Sequence, residues 1–398
     1  MCHPQPRAVY LQMHGLFFNL FIAIAVTSFM ATSAHAQNEN KKIATEDSTE
    51  SQVKAMIEKL VSPNFQERQQ AAKYLLNVNA ESVILLETVA ASSAGEMQLR
   101  LREILKQVRK RLFDDQLEVF LSEPSIEIAR RLPQWDRFEK ISGHDDEALQ
   151  IFGEILAAEP RLFAERLFAS RELSALLYER TAKLTQEFNG QVNEEFPIAS
   201  VAAVMLLGSE PETRLMRDTS TNISSALKEP RFSELITAGI HAKTLRAITE
   251  TWIVRTDIAA ELPLLFSMQH DLKSGRTVAT RIIESKSNRP DMIRSLLCLA
   301  KLKSTEDLPL IESLFDNETL LWPQPGQVVR HQFGATYIVR TRDVAVVAAA
   351  YLRDIKPNVI GFKALASHDT LFAHDSLGFA TDEARNKALA AYRRLAGK

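Results

Sequence analysis

Residues 62–76 read Ser62-Pro63-Asn64-Phe65-Gln66-Glu67-Arg68-Gln69-Gln70-Ala71-Ala72-Lys73-Tyr74-Leu75-Leu76. Ser62-Pro63-Asn64 is a helix start, because a short polar side chain there accepts the backbone N–H groups that the first turn leaves unpaired. Phe65, Ala72, Leu75 and Leu76 then recur at helical spacing, and Ala71 and Ala72 are small enough to let a second helix approach. After a turn at Asn77–Ala80, Val83, Ile84, Leu86, Val89 and Ala90 line the next helix. A third, from about Gly95 to Leu112, carries Leu101, Ile104, Leu105 and Val108. Two short-looped antiparallel helices cannot bury both of their apolar faces alone, so the pattern requires stacking on neighbours. The same grammar runs through most of the chain, in helical segments separated by brief Pro, Gly, Asn or Ser punctuation. The expected class is therefore all-α. The exception is 319–339 (TLLWPQPGQVVRHQFGATYIV), where Pro323, Pro325 and Gly326 flank β-branched residues and a short extended or hairpin insert is expected.

The segment from Phe65 to Leu75 resembles the first helix of a HEAT-type repeat, whose core is an Arg followed three residues later by Ala or Leu. Arg102 with Leu105, Arg294 with Leu297 and Arg342 with Ala345 repeat that arrangement. The steps from Arg68 to Arg102 and from Arg294 to Arg342 are of the order of the roughly 33 to 47 residues of helical repeats. Leu132-Pro133-Gln134-Trp135-Asp136-Arg137-Phe138 with Gly143, Arg342-Asp343-Val344-Ala345 before Gly361-Phe362, and Gly378-Phe379 before a last helix extend the likeness. Over most of its length the chain is similar to a group of exported, uncharacterised bacterial HEAT-like (armadillo-type) helical repeat proteins. The resemblance implies an α-solenoid of antiparallel helix pairs and an exported location; it brings no catalytic activity with it.

The chain has 398 residues, 45% hydrophobic and 25% charged, with 13 glycines. That is ordinary globular composition and excludes collagen-like, Gly-rich and wholly disordered classes. With 48 basic against 50 acidic residues the net charge is −2, which gives no overall field to gather nucleic acid or an anionic membrane. Arg7 precedes an apolar run from Leu16 to Met30 that ends before Ala34-His35-Ala36. This order predicts a secretory signal peptide over 1–36, cleaved after Ala36, and the run falls short of the roughly 20 residues of a spanning helix. No stable membrane span is expected once it is removed, and the protein is expected in the periplasm, the cell envelope or outside the cell. Residues 37–50 are polar and read as a disordered tether. N-terminal HEAT-like helices are then expected over 51–113, a central helical region over 114–287, and C-terminal HEAT-like helices over 288–398 carrying the Pro-rich insert. Cys298 alone survives leader removal, so no intramolecular disulfide forms, and its apolar neighbours predict a packed helix interior.

The sequence holds no GxGxxG opening a helix, P-loop, GxSxG, HExxH, CxxC or EF-hand loop. No catalytic residue and no cofactor are expected. The weak metal candidates are His368, Asp369, His374 and Asp375, since imidazole and carboxylate both suit zinc or iron. Six-residue His spacing lacks the i, i+4 alignment of a helical metal site, and a solvated loop is the favoured reading. The basic run Arg100, Arg102, Lys106, Arg109, Lys110 and Arg111 reads as a solvated face balanced by Glu103, Asp114 and Asp115. Trp135 and Trp252 sit in helical apolar patterns and are expected in the core. Trp322, in the Pro-rich insert, is the candidate interaction residue. The expected function is a protein-interaction or scaffold module with protein partners and no nucleic acid. The alternatives are a metal-dependent hydrolase or oxygenase using the 368–375 cluster, and a passive structural envelope protein.

Overall fold

The computed structural model describes residues 50–165, 170–190, 196–255, 259–285, 291–323 and 337–397. The predicted leader, its cleavage position Ala36 and residues 37–49 of the predicted tether lie outside the described residues. Residue 50 does not belong to a tether, because Glu50 already opens a helix. The described residues are mostly helical, and the chain divides into two compact units between Leu112 and Phe113.

The first unit contains α1 (Glu50–Lys59), α2 (Phe65–Leu76), α3 (Ala80–Ser92) and the opening turns of α4 (Gly95–Ser122). Asn64 caps α2, its side-chain oxygen accepting the Gln66 N–H at 2.9 Å, and Asn79 caps α3 by accepting the Ser82 N–H at 3.1 Å. Helix α1 packs on both α2 and α3. The core is drawn from Val53, Ile57, Ala71, Leu75, Leu86 and Leu101, with Ile104, Leu105 and Val108 of α4 beside them. Two positions assigned to apolar faces from the sequence are exposed instead, Phe65 at 60% and Ile84 at 69%. On α3 the buried seam runs Ser82, Leu86, Ala90 in steps of four; Ile84 stands two residues from that seam, on the opposite side of the helix. Phe65 is the first residue of α2 and turns outward, its ring meeting the Arg68 guanidinium at 5.6 Å.

The second unit continues from α4 through α5 (Ile126–Ala129), α6 (Trp135–Ser142), α7 (Asp146–Ala158), α8 (Pro160–Glu165) and α9 (Ser170–Gly190). Then come α10 (Ile198–Gly208), α11 (Arg217–Ser225), α12 (Pro230–Ala238), α13 (Ala242–Ile253), α14 (Glu261–His270) and α15 (Ser274–Glu284). The last helices are α16 (Asp291–Lys301), α17 (Leu308–Glu312), α18 (Thr341–Leu352) and α19 (Asp382–Leu395). Helix α10 is buried nearly all round and lies between α7 and α13; farther along, α16 packs on α14, α15 and α18. Helices α15 and α16 flank the expected 287/288 boundary and are in direct contact, so residues on both sides of it share one core. Trp135 and Trp252 are fully buried in that core, where Trp135 meets Phe152 edge-on at 5.1 Å.

Arginines repeatedly tie the carbonyl end of one helix to a helix distant in sequence. Arg255, after α13, donates to the carbonyls of Gly208, the last residue of α10, and of Glu210 and Thr213 just beyond it. Arg281 of α15 donates to Val254, and Arg246 of α13 to His270 and Asp271. In the first unit Arg111 of α4 does the same to Leu76 and Val78. The last carbonyls of a helix have no partner within it, and a planar guanidinium satisfies several at once while complementing the negative helix end.

The ends of the 319–339 stretch pair as two antiparallel strands, β1 (Leu320–Trp322) and β2 (Val339–Arg340), with an irregular register at Trp322. Residues 324–336, in the middle of the expected insert, lie outside the described residues. A second two-stranded hairpin, β3 (Ser367–His368) with β4 (Leu371–Phe372), replaces the loop expected around the His/Asp cluster.

Candidate binding groove

Trp322 is held at the end of β1, whose partner β2 leads straight into α18. That corner is pinned from below. Ile338 exchanges backbone hydrogen bonds with Phe379, and the preceding Gly378 lies so close that an added Cβ would stand 2.3 Å from the Ile338 carbonyl oxygen. Arg385, 4% exposed, donates to the fully buried carboxylate of Asp343 at 2.6 Å and to the Ile338 carbonyl at 3.0 Å. Burial pushes the Asp343 carboxyl above the usual carboxylate range against the pull of Arg385. Trp322 is left half-buried rather than absorbed into the core.

The indole lines a cleft of about 400 Å³ between α14, α16 and the β3–β4 hairpin. Its floor is apolar, with Leu265, Met268, Ile293, Leu297 and Leu321. Its polar rim carries Glu261 and Arg294, paired at 2.7 Å, together with His368, Thr370 and His374. The Nδ1 atom of His368 accepts the Thr370 backbone N–H at 3.2 Å and faces the Thr370 hydroxyl at 2.8 Å, which leaves Nε2 as the edge available to a ligand. His374 opens the single 3₁₀ turn His374–Ser376.

Two further concavities adjoin this cleft. One, of about 530 Å³, shares Leu265 with it and is walled by Leu227, Lys228, Pro230, Phe266 and His270. His270 stacks on Phe266 with ring centroids 4.3 Å apart, and its Nε2 lies 3.2 Å from the Ser233 hydroxyl. Burial lowers its pKa from the ordinary imidazole value, and the Arg246 charge adds to that. The other, of about 510 Å³, shares Phe372 with the central cleft and is lined by Lys303, Thr305, Tyr351, Asp354 and Lys356. The result is a row of three adjoining depressions, the central one sharing Leu265 with one neighbour and Phe372 with the other. Each has the volume of a small-ligand site.

Of the four weak metal candidates, His368 and His374 meet at the central cleft, whereas Asp369, exposed in the hairpin turn, and Asp375, on the 3₁₀ turn, are not among its lining residues. Among the described residues no three His, Cys, Asp or Glu side chains form a group that could hold a metal ion. The basic run on α4 is partly engaged within its own unit: Arg100 pairs with Glu96, and Arg109 with Glu87 of α3. No helix among the described residues is long and apolar enough to cross a membrane. Sequence reasoning singled out Trp322, His368 and His374 but missed Leu265, Tyr351, Phe372 and the lysines that continue the row. Their spacing is that of ordinary core and turn residues, and only the packing of α14, α16 and α18 brings them to one side. Compared with known protein families, curated proteins and solved structures, the chain matches none.

Proposed function

We propose that the chain is an exported HEAT-like repeat protein, an α-solenoid of stacked helix pairs, and that it acts as a protein-interaction or scaffold module through the groove beside Trp322. The stacking is supported by the order of helix contacts in the second unit. Helix α7 packs on α10, α10 on α13, α13 on α15, α15 on α16, α16 on α18 and α18 on α19, with α9 on α11 and α11 on α14 beside them. Such a row extends one apolar seam through successive helices and leaves elongated surfaces for docking. The observation that carries the reading is the position of Trp322. A large aromatic of this kind supplies much contact energy at an interface, and it stands here in a cleft with an apolar floor while the other two tryptophans are sealed in the core. Export of the protein is argued from the leader reading, and on that reading its partners are in the periplasm, the cell envelope or outside the cell.

The test is affinity capture from envelope fractions with the native leader retained, comparing the wild-type chain with a Trp322→Ala/Phe372→Ala variant. A reproducible set of partners lost by the variant is the expected result. No reproducible partner, or a set equally retained by the variant, overturns the reading.

A further inference from the structure

We infer that the groove receives an extended acidic segment of a partner protein, with an apolar or aromatic residue seated beside Trp322 and carboxylates toward both ends. The inference rests on the interaction-module reading above and adds the chemistry of the occupant.

The first support is charge. The chain as a whole has net charge −2, yet the row of depressions is locally reversed. Lys228 stands in one terminal depression, and Lys303 and Lys356 in the other. All three are exposed, and among the described residues none has an ion-pair partner. The carboxylate of Glu261 in the central cleft is engaged by Arg294, which leaves Asp354 as the one further acidic side chain lining the row. A ligand with positive charge meets three lysines against that one carboxylate, whereas an acidic one is attracted to the two outer depressions and meets the paired Glu261 and Arg294 in the central one.

The second support is shape and polarity. Three adjoining depressions, neighbours sharing Leu265 and Phe372 in their linings, suit an elongated occupant such as an extended peptide better than a compact one. The central floor of Met268, Leu297 and Leu321 is apolar and lies beside Trp322, so it seats an apolar or aromatic side chain, while the polar rim of His368, Thr370 and His374 is left for the backbone of the occupant.

The experiment is selection of a displayed random dodecamer peptide library against the full chain, followed by affinity measurement on the leading peptides. Enriched peptides with a central aromatic or long aliphatic residue flanked by Asp or Glu are the expected outcome. Their affinity falls by about tenfold or more with Lys228→Glu/Lys356→Glu, falls similarly with Trp322→Ala, and weakens as salt is raised. Both lysines are exposed, so the charge-reversed variant retains the fold even if the tryptophan variant does not. Neutral or basic peptides that still depend on Trp322 overturn the acidic occupant and leave the interaction module standing. Absence of enrichment, or enrichment insensitive to every groove substitution, overturns both. Oligothymidine binding as tightly as the peptides, lost with the same lysine reversals, overturns peptide recognition in favour of a general polyanion surface.

Discussion

Cys298 has no exposed surface in α16, and burial pushes its thiol up to about 12. Thiolate is the reactive form, so this sulfur is inert while α16 is packed. With Cys2 replaced by Ser, native protein is expected to leave Ellman's reagent unreacted and denatured protein to consume one equivalent; rapid labelling of the native state would show that the packing around α16 opens readily. His270 makes the opposite kind of prediction. Its folded-state pKa is depressed by burial and by Arg246, with Asp271 opposing, so the unfolded chain takes up the proton first as the pH falls. The associated stability is present above the ordinary His value of about 6.5 and is lost as pH drops through the lower folded value. His270→Gln should flatten the fall in thermal midpoint as the pH drops below the ordinary His value. An unchanged pH slope in calorimetry would contradict this.

At the level of elements, the arginine ties do what sequence periodicity leaves undone. Arg255 reaches three carbonyls at and just beyond the end of α10, with the Gly208 bond at 2.5 Å and the Thr213 bond at 3.0 Å. Charge-assisted bonds to otherwise orphaned carbonyls contribute about 1.5–3 kcal/mol each in favourable cases, and neighbouring ones are not additive. Arg255→Ala is expected to lower unfolding stability by about 2–4 kcal/mol in urea titrations, and Arg255→Lys to recover little because an ammonium lacks the planar fork. A loss within a few tenths of a kcal/mol would mean that water serves these carbonyls equally well. Gly275 of α15 marks a second device. An added Cβ there would stand 2.5 Å from Ser267 Cβ and 3.0 Å from Cys298 Sγ, so α14, α15 and α16 approach through this position. Gly275→Ala should cost about 1–3 kcal/mol by overpacking, despite the better helix propensity of alanine. Ser62-Pro63-Asn64 was readable as a cap because the determinants are local. Ile84 and Phe65 were assigned inward wrongly because a face chosen by hydrophobicity alone does not say which of two adjacent seams a neighbouring helix covers.

Across the whole molecule, the two units each have their own apolar core, and the charge is nearly balanced while the groove carries an excess of lysines. The export proposal is checked by intact-mass measurement on protein from the producing cell, which should give a chain beginning at Gln37; a retained leader would remove the envelope from the functional argument. The helical class, the caps, the burial of Trp135 and Trp252 and the neutral overall charge were legible in the amino-acid order, because each depends on composition or on residues within a turn or two of one another. Even within the candidate site, Trp322 stood out by its Pro-rich setting and the two histidines by their clustering. What tertiary structure alone decided is that His368 and His374 line one cleft without the two aspartates, that Leu265 and Phe372 are each shared by two adjoining depressions, and that Lys228 and Lys356 line the two depressions on either side of the central cleft. Leu265 and Phe372, and Lys228 and Lys356, are more than a hundred residues apart in the chain, and their relations are fixed by how α14, α16 and α18 pack, for which a one-dimensional hydrophobic period carries no information.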